Sequence, residues 1–80
     1  MSFVYILECF DKTYYTGSTT DLERRLHEHN NSKSGAHYTK IRRPVVLKYK
    51  EEFETLGEAR SREHQLKNLN RADKEKLWNK

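Results

Sequence analysis

Cysteine occurs once in this 80-residue chain, at Cys9. An intrachain disulfide is therefore excluded, and so is a zinc site built from clustered thiols. No apolar run approaches the ~20 residues needed to cross a bilayer. No segment has the make-up of a signal peptide. A reducing cytoplasm is the expected setting, with no membrane association. No internal repeat or low-complexity segment is present. Acidic residues are missing from one long interval, between Glu28 and Glu51.

Eighty residues are enough for one domain. A domain of that size buries only ~60% of its unfolded surface, so its core is thin. Apolar residues make up 34% of the chain and charged residues 35%. One Trp, five Tyr and three Phe, with clear periodicity, still argue for a folded core and against disorder. Net charge is +4 and the isoelectric point about 9.3. That balance favours polyanionic partners, of which nucleic acid is the commonest. A soluble domain that is merely basic is the plain alternative.

Phe3 to Phe10, FVYILECF, is short, rich in β-formers and apolar on both faces, which predicts a central strand. Thr13 to Ser18 reads as its hairpin partner across Asp11-Lys12. Thr20-Asp21-Leu22-Glu23 fits a capping box, so a helix is expected from about Asp21 to Asn30. Asn31 to Arg43 reads as a long polar loop closed by Pro44. Val45 to Phe53 predicts a third strand with Val45, Leu47, Tyr49 and Phe53 on one face. Thr55 to Glu58 is a second capping box opening a helix to about Asn68. Asn70 can cap a short last helix, with Leu77 and Trp78 as anchors. The expected fold is α+β: a three-stranded, mainly antiparallel sheet flanked by two to three helices, in the order ββαβα plus a short C-terminal helix.

Several polar residues stand where apolar ones belong. Arg25 and His29 fall within roughly 60° of Leu22 around the first helix, beside the stripe that should be buried. They either snorkel to water or look into a site. Glu63 lies inside the stripe Leu56, Ala59, Glu63, Leu66. Burying a lone carboxylate costs several kcal/mol, so Glu63 needs a partner. An ion pair with Arg25 would serve, and so would a hard cation. In the hairpin, a strict two-residue turn puts Tyr5 and Tyr15 on opposite faces. A three-residue connection puts Tyr5 opposite Gly17 and both tyrosines on one face. Asp-Lys is a poor type I′ turn, which favours the looser connection. Gly17 would then let a phosphate approach the backbone. The plain alternative makes both tyrosines core. The interval without acids holds Lys33, His37, Tyr38, Lys40, Arg42, Arg43, Lys48 and Lys50, either a phosphate track or a solvated loop. His27 and His29 diverge by about 200°, which argues against a joint zinc site.

Together these residues resemble the GIY-YIG nuclease superfamily, and most closely its small, single-domain bacterial branch. Phe3-Val4-Tyr5 keeps only the tyrosine of the first motif. Tyr15-Thr16-Gly17 keeps the tyrosine and glycine of the second. Arg25 stands ten residues beyond Tyr15, and His29 one helical turn later. Glu63 sits in the E-A-x-x-x-E-x-x-L context within GEARSREHQLK. The first motif lacks its glycine and isoleucine, and no separate DNA-binding domain is expected in so short a chain.

The resemblance implies a metal-dependent endonuclease acting on nucleic acid, DNA rather than RNA. Tyr5, Tyr15, Arg25 and His29 would be catalytic, and Glu63 would hold one Mg²⁺ or Mn²⁺. Lys33, His37, Tyr38, Lys40, Arg42 and Arg43 would contact nucleic acid, with a partner protein as one source of specificity. Tyr5 or His29 would take the proton from water. The rivals are a non-catalytic nucleic-acid-binding module and a protein that docks an acidic partner.

Overall fold

The computed structural model describes residues 1–31 and 37–79. In chain order the elements are β1 (Ser2–Glu8), β2 (Tyr14–Thr19), α1 (Leu22–Asn31), α2 (His37–Lys40), β3 (Val46–Phe53), α3 (Leu56–Lys67) and α4 (Arg71–Glu75). The sheet order is β2-β1-β3, with both pairings antiparallel. The expected α+β architecture is present. The expected polar loop contains a short helix, α2.

β1 lies at the centre because it is apolar on both sides. Its odd positions Tyr5, Leu7 and the following Cys9 form one core cluster with Val45, packed by Tyr15, Leu22, Leu26, Tyr38 and Leu47. Its even positions Val4 and Ile6 form a second cluster with Leu66, packed by Tyr14, Tyr49, Phe53, Leu69, Leu77 and Trp78. Thus α1 and α3 cover opposite faces of the sheet. Leu77 and Trp78 anchor the C-terminal segment as expected.

The hairpin takes the looser connection. Glu8 pairs with Tyr14 and Tyr5 with Gly17. The Lys12 N–H donates to Cys9 O at 2.9 Å, and the Cys9 N–H to Thr13 O at 2.8 Å. Phe10-Asp11-Lys12 is therefore a three-residue loop, with Lys12 in the left-handed region at φ 70°. That register puts Tyr5, Tyr15 and Gly17 on one face.

Two local expectations are corrected. The first capping box does not form: Asp21 Oδ1 accepts the Arg24 N–H at 3.2 Å, so Asp21 and not Thr20 caps α1. Asp21 is held by its own N–H, which donates to Thr19 Oγ1 at 3.2 Å. The third strand does not keep its four apolar residues on one side. Ile6 pairs with Tyr49 but Leu7 pairs with Leu47, so Lys48 is the extra residue of a bulge. Val45 and Leu47 join the α1 side, while Tyr49 and Phe53 join the α3 side. The second capping box, Thr55 with Glu58, forms in both directions. Asn70 caps α4 through the Asp73 N–H at 2.8 Å.

Candidate active site

α1 carries Leu22 and Leu26 towards the sheet, and this brings His29 into the core beneath them. His29 is fully buried, at 0% exposure. The end of α1 is tied down from the following segment. Arg43 donates from Nε to His29 O at 2.6 Å and from a terminal nitrogen to Glu28 O at 3.0 Å. These are carbonyls of the last helical turn, which have no partner inside the helix. The Asn30 side chain clasps Val45, donating to its carbonyl at 3.1 Å and accepting its N–H at 2.7 Å.

Three side chains form a buried line through this core. Tyr5 Oη is hydrogen-bonded to His29 Nε2 at 2.8 Å. His29 Nδ1 is hydrogen-bonded to Thr39 Oγ1 at 2.7 Å. Thr39, on α2, is itself 0% exposed. Tyr15 lies against the same imidazole, with ring centroids 5.1 Å apart. The Tyr5 phenol lies directly over Gly17, where a Cβ would stand 2.5 Å from its Oη.

Burial sets the protonation of the pair. It pushes the Tyr5 phenol above its ordinary value, and Tyr15 adds to this, while the Arg25 guanidinium pulls the other way. Burial holds His29 down to about 4, helped by the positive charges of Arg25 and Arg43 and opposed by Glu28. At neutral pH the pair is therefore a neutral phenol against a neutral imidazole.

Arg25 completes the group. Its guanidinium favours ionisation of the Tyr5 phenol against burial and pairs with Glu28 Oε1 at 3.1 Å. It opens on a cleft of about 190 Å³ lined by Thr19, Thr20, Asp21, Arg24, Arg25 and Glu28. The two plain readings of Arg25 and His29 are thus resolved differently: His29 is wholly internal, and Arg25 is half-buried with its head engaged.

Glu63 does not pair with Arg25. It belongs to α3, on the other face of the sheet, and reaches the β2 edge. Its Oε1 accepts the Ser18 hydroxyl at 2.6 Å, and its Oε2 pairs with Lys67 at 2.8 Å. Its side chain is 20% exposed, neither sealed in nor free in solvent. Its negative charge is nonetheless felt at Tyr5. Tyr5, Tyr15, Arg25 and His29 lie on one face of the sheet, with Tyr5 and Tyr15 both against the His29 ring, and Glu63 approaches from the opposite layer. Among the described residues no group of three or more His, Cys, Asp or Glu side chains is arranged to hold a metal ion.

The expected basic track is partly engaged by the fold itself. Arg42 pairs with Asp11 at 3.0 Å, and its guanidinium sits 4.0 Å over the Tyr38 ring. Tyr38 packs on Tyr15, centroids 6.0 Å apart. Arg43 closes α1 as described. Lys40 is half-buried, while Lys48 and Lys50 are exposed. Lys33 and the His37 side chain lie outside the described residues. Thr39 and Ser18 were not legible as site residues, because neither stands out by period or charge.

The GIY-YIG catalytic domain matches residues 1–77. The UPF0213 protein of Halobacterium salinarum is 51% identical over 98% of this chain and 100% of its own length. That of Syntrophus aciditrophicus is 53% identical over 95% of this chain and 87% of its own. The solution structure of the UPF0213 protein from Bacillus halodurans is 45% identical, superposes with a TM-score of 0.59, and covers 96% of this chain and 82% of its own. A protein from E. faecalis gives 41% identity and a TM-score of 0.62, over 96% and 83% of the two chains. The chain belongs to the GIY-YIG catalytic domain family.

Proposed function

We propose that this protein is a metal-dependent endonuclease that hydrolyses phosphodiester bonds in nucleic acid, with DNA as the substrate, in the cytoplasm. The observation that carries the reading is the buried 2.8 Å hydrogen bond between Tyr5 and His29, with the Arg25 charge acting on both groups.

Hydrolysis requires that water lose a proton as its oxygen bonds to phosphorus and the P–O bond to the leaving sugar breaks. A phenol with a raised pKa is a poor base alone. A neutral imidazole behind it changes this. Tyr5 Oη takes the proton of water as its own hydroxyl proton passes to His29 Nε2, so no free phenolate is needed. The two open candidates for the base thereby act as one relay. Arg25 offers its planar fork to the non-bridging phosphate oxygens, exchanging Glu28 for substrate. Tyr15 walls the relay and positions the phosphate beside it; the space over Gly17 is taken by the Tyr5 phenol itself.

Glu63 fits a hard divalent cation. One carboxylate with a hydroxyl oxygen beside it suits Mg²⁺ or Mn²⁺, which keep several waters and take further oxygens from phosphate. When bound, such an ion supplies positive charge to the phosphate and the leaving oxygen. Lys67, 54% exposed, is able to swing off the carboxylate to make room. Lys40, Lys48 and Lys50 are the cations left to follow the phosphate backbone, with Lys33 and His37 as the further expectation. A partner protein would add sequence preference.

Nicking of supercoiled plasmid with Mg²⁺ or Mn²⁺ tests the reading. Wild type nicks, while Glu63→Ala and Tyr5→Phe lose about a hundredfold or more. Binding without turnover in wild type would instead make the chain a non-catalytic nucleic-acid module. Equal cleavage by wild type and Glu63→Ala would place the activity elsewhere.

A further inference from the structure

We propose that Thr39 is a positioning residue for the reaction: its hydroxyl accepts Nδ1–H of His29, so that the Nε2 lone pair faces Tyr5. This deepens the reading of Tyr5 and His29 as the proton-handling pair and rests on it.

A neutral imidazole has one donor and one acceptor nitrogen, and the partner of one fixes the role of the other. His29 has both nitrogens engaged in a dry core. Nε2 meets Tyr5 at 2.8 Å and Nδ1 meets Thr39 at 2.7 Å. Both histidine and threonine are 0% exposed, so water does not substitute for either partner. The relay works in one direction only. If Nε2 carries the proton, it donates to Tyr5 Oη and has no lone pair with which to receive one. If Nδ1 carries it, Nε2 is an acceptor and the proton of Tyr5 has somewhere to go. A buried N–H without an acceptor costs ~1–3 kcal/mol, so removing the Thr39 oxygen drives His29 to the unproductive tautomer. The short helix α2 thereby contributes to the site, because it carries an oxygen to the far side of the imidazole. Arg43 holds the backbone at the same histidine, so ring and main chain are both fixed.

The test uses the full chain with ¹⁵N-labelled histidine at neutral pH. Wild type is expected to show the His29 Nδ1–H form by its nitrogen shifts, Thr39→Val the Nε2–H form, and Thr39→Ser the wild-type form. In the nicking assay Thr39→Val loses at least about tenfold in kcat with KM unchanged, and Thr39→Ser recovers most of it. The Nε2–H form in wild type overturns the proposal, as does an unchanged tautomer in Thr39→Val. Because Thr39→Val is close in shape, its thermal unfolding is read alongside. If it does not fold, the wild-type tautomer and Thr39→Ser decide. The tautomer is read without turnover, so a chain that proves inactive sinks the nuclease reading while the spectrum still judges Thr39.

Discussion

The Tyr5 hydroxyl occupies the space that a side chain at position 17 would need: a Cβ on Gly17 would lie 2.5 Å from Oη and 2.7 Å from Cζ. The glycine is required by close approach, not by backbone angle, since no glycine among the described residues has positive φ. Gly17→Ala must move the phenol off His29. Overpacking of this kind costs ~1–3 kcal/mol. A displacement near 1 Å at the reacting group costs about a hundredfold in rate. Urea unfolding and plasmid nicking measure the two effects. A variant with wild-type rate would show that the Tyr5 position is not critical.

His29 makes stability depend on pH. Its pKa is about 4 in the fold against an ordinary 6.5. The unfolded chain therefore binds the proton first as pH falls. The stabilisation is fully present above about 6.5, is lost progressively down to about 4, and changes no further below that. The change across the window is on the order of 3 kcal/mol. His29→Gln removes it. Unfolding free energies from denaturant titrations should drop further between pH 7 and pH 4.5 for wild type than for the variant, by about 2–3 kcal/mol. Parallel losses would refute the buried neutral histidine.

Arg43 and the lysines of β3 should separate cleanly. The Arg43 head is engaged by the carbonyls of Glu28 and His29. Arg43→Met is expected to cost ~1.5–3 kcal/mol of stability and to leave the salt dependence of DNA binding unchanged. Lys48→Ala and Lys50→Ala should each lower that salt slope by about one while stability shifts by less than ~0.5 kcal/mol. Fluorescence anisotropy at several salt concentrations distinguishes them. A reduced slope in Arg43→Met would return that arginine to the phosphate track.

Lys12 stands at φ 70° in the hairpin loop. An L side chain is strained in that region and glycine is not. Lys12→Gly should gain about 0.5–1 kcal/mol, and Lys12→Ala nothing, in thermal unfolding. Its side chain is 75% exposed and its pairing with Glu8 is long, at 3.9 Å, so little is lost with it. Destabilisation by glycine would mean that the long contact with Glu8 matters.

Much of this geometry was legible where local chemistry decides the outcome. Thr55 with Glu58 could be read directly, because a capping box is complete within four residues. The hairpin register was open between two connections in the sequence; the unsuitability of Asp-Lys for a type I′ turn favoured the looser one, which forms and sets Tyr5 over Gly17. Thr20 failed because the adjacent Asp21 offers a competing side-chain oxygen. The β3 faces failed because a period-two pattern does not reveal an inserted residue such as Lys48. Glu63 was correctly seen to need a partner, yet that partner, Ser18 with Lys67, depends on which face α3 covers. Thr39 was invisible: a neutral residue in a polar stretch becomes informative only when an imidazole lies beside it.

The alternation along β1 divides labour by parity. Tyr5 and Leu7 answer to the histidine-bearing helix, Val4 and Ile6 to the glutamate-bearing one. Neighbouring codons therefore act on separate layers: one set on the Tyr5–His29–Thr39 line, the other on the packing of the helix that carries Glu63. A library randomised at Val4 and Ile6 would perturb the seat of the Glu63 helix, while one at Tyr5 and Leu7 would perturb the seat of the His29 helix, on the same seven-residue strand.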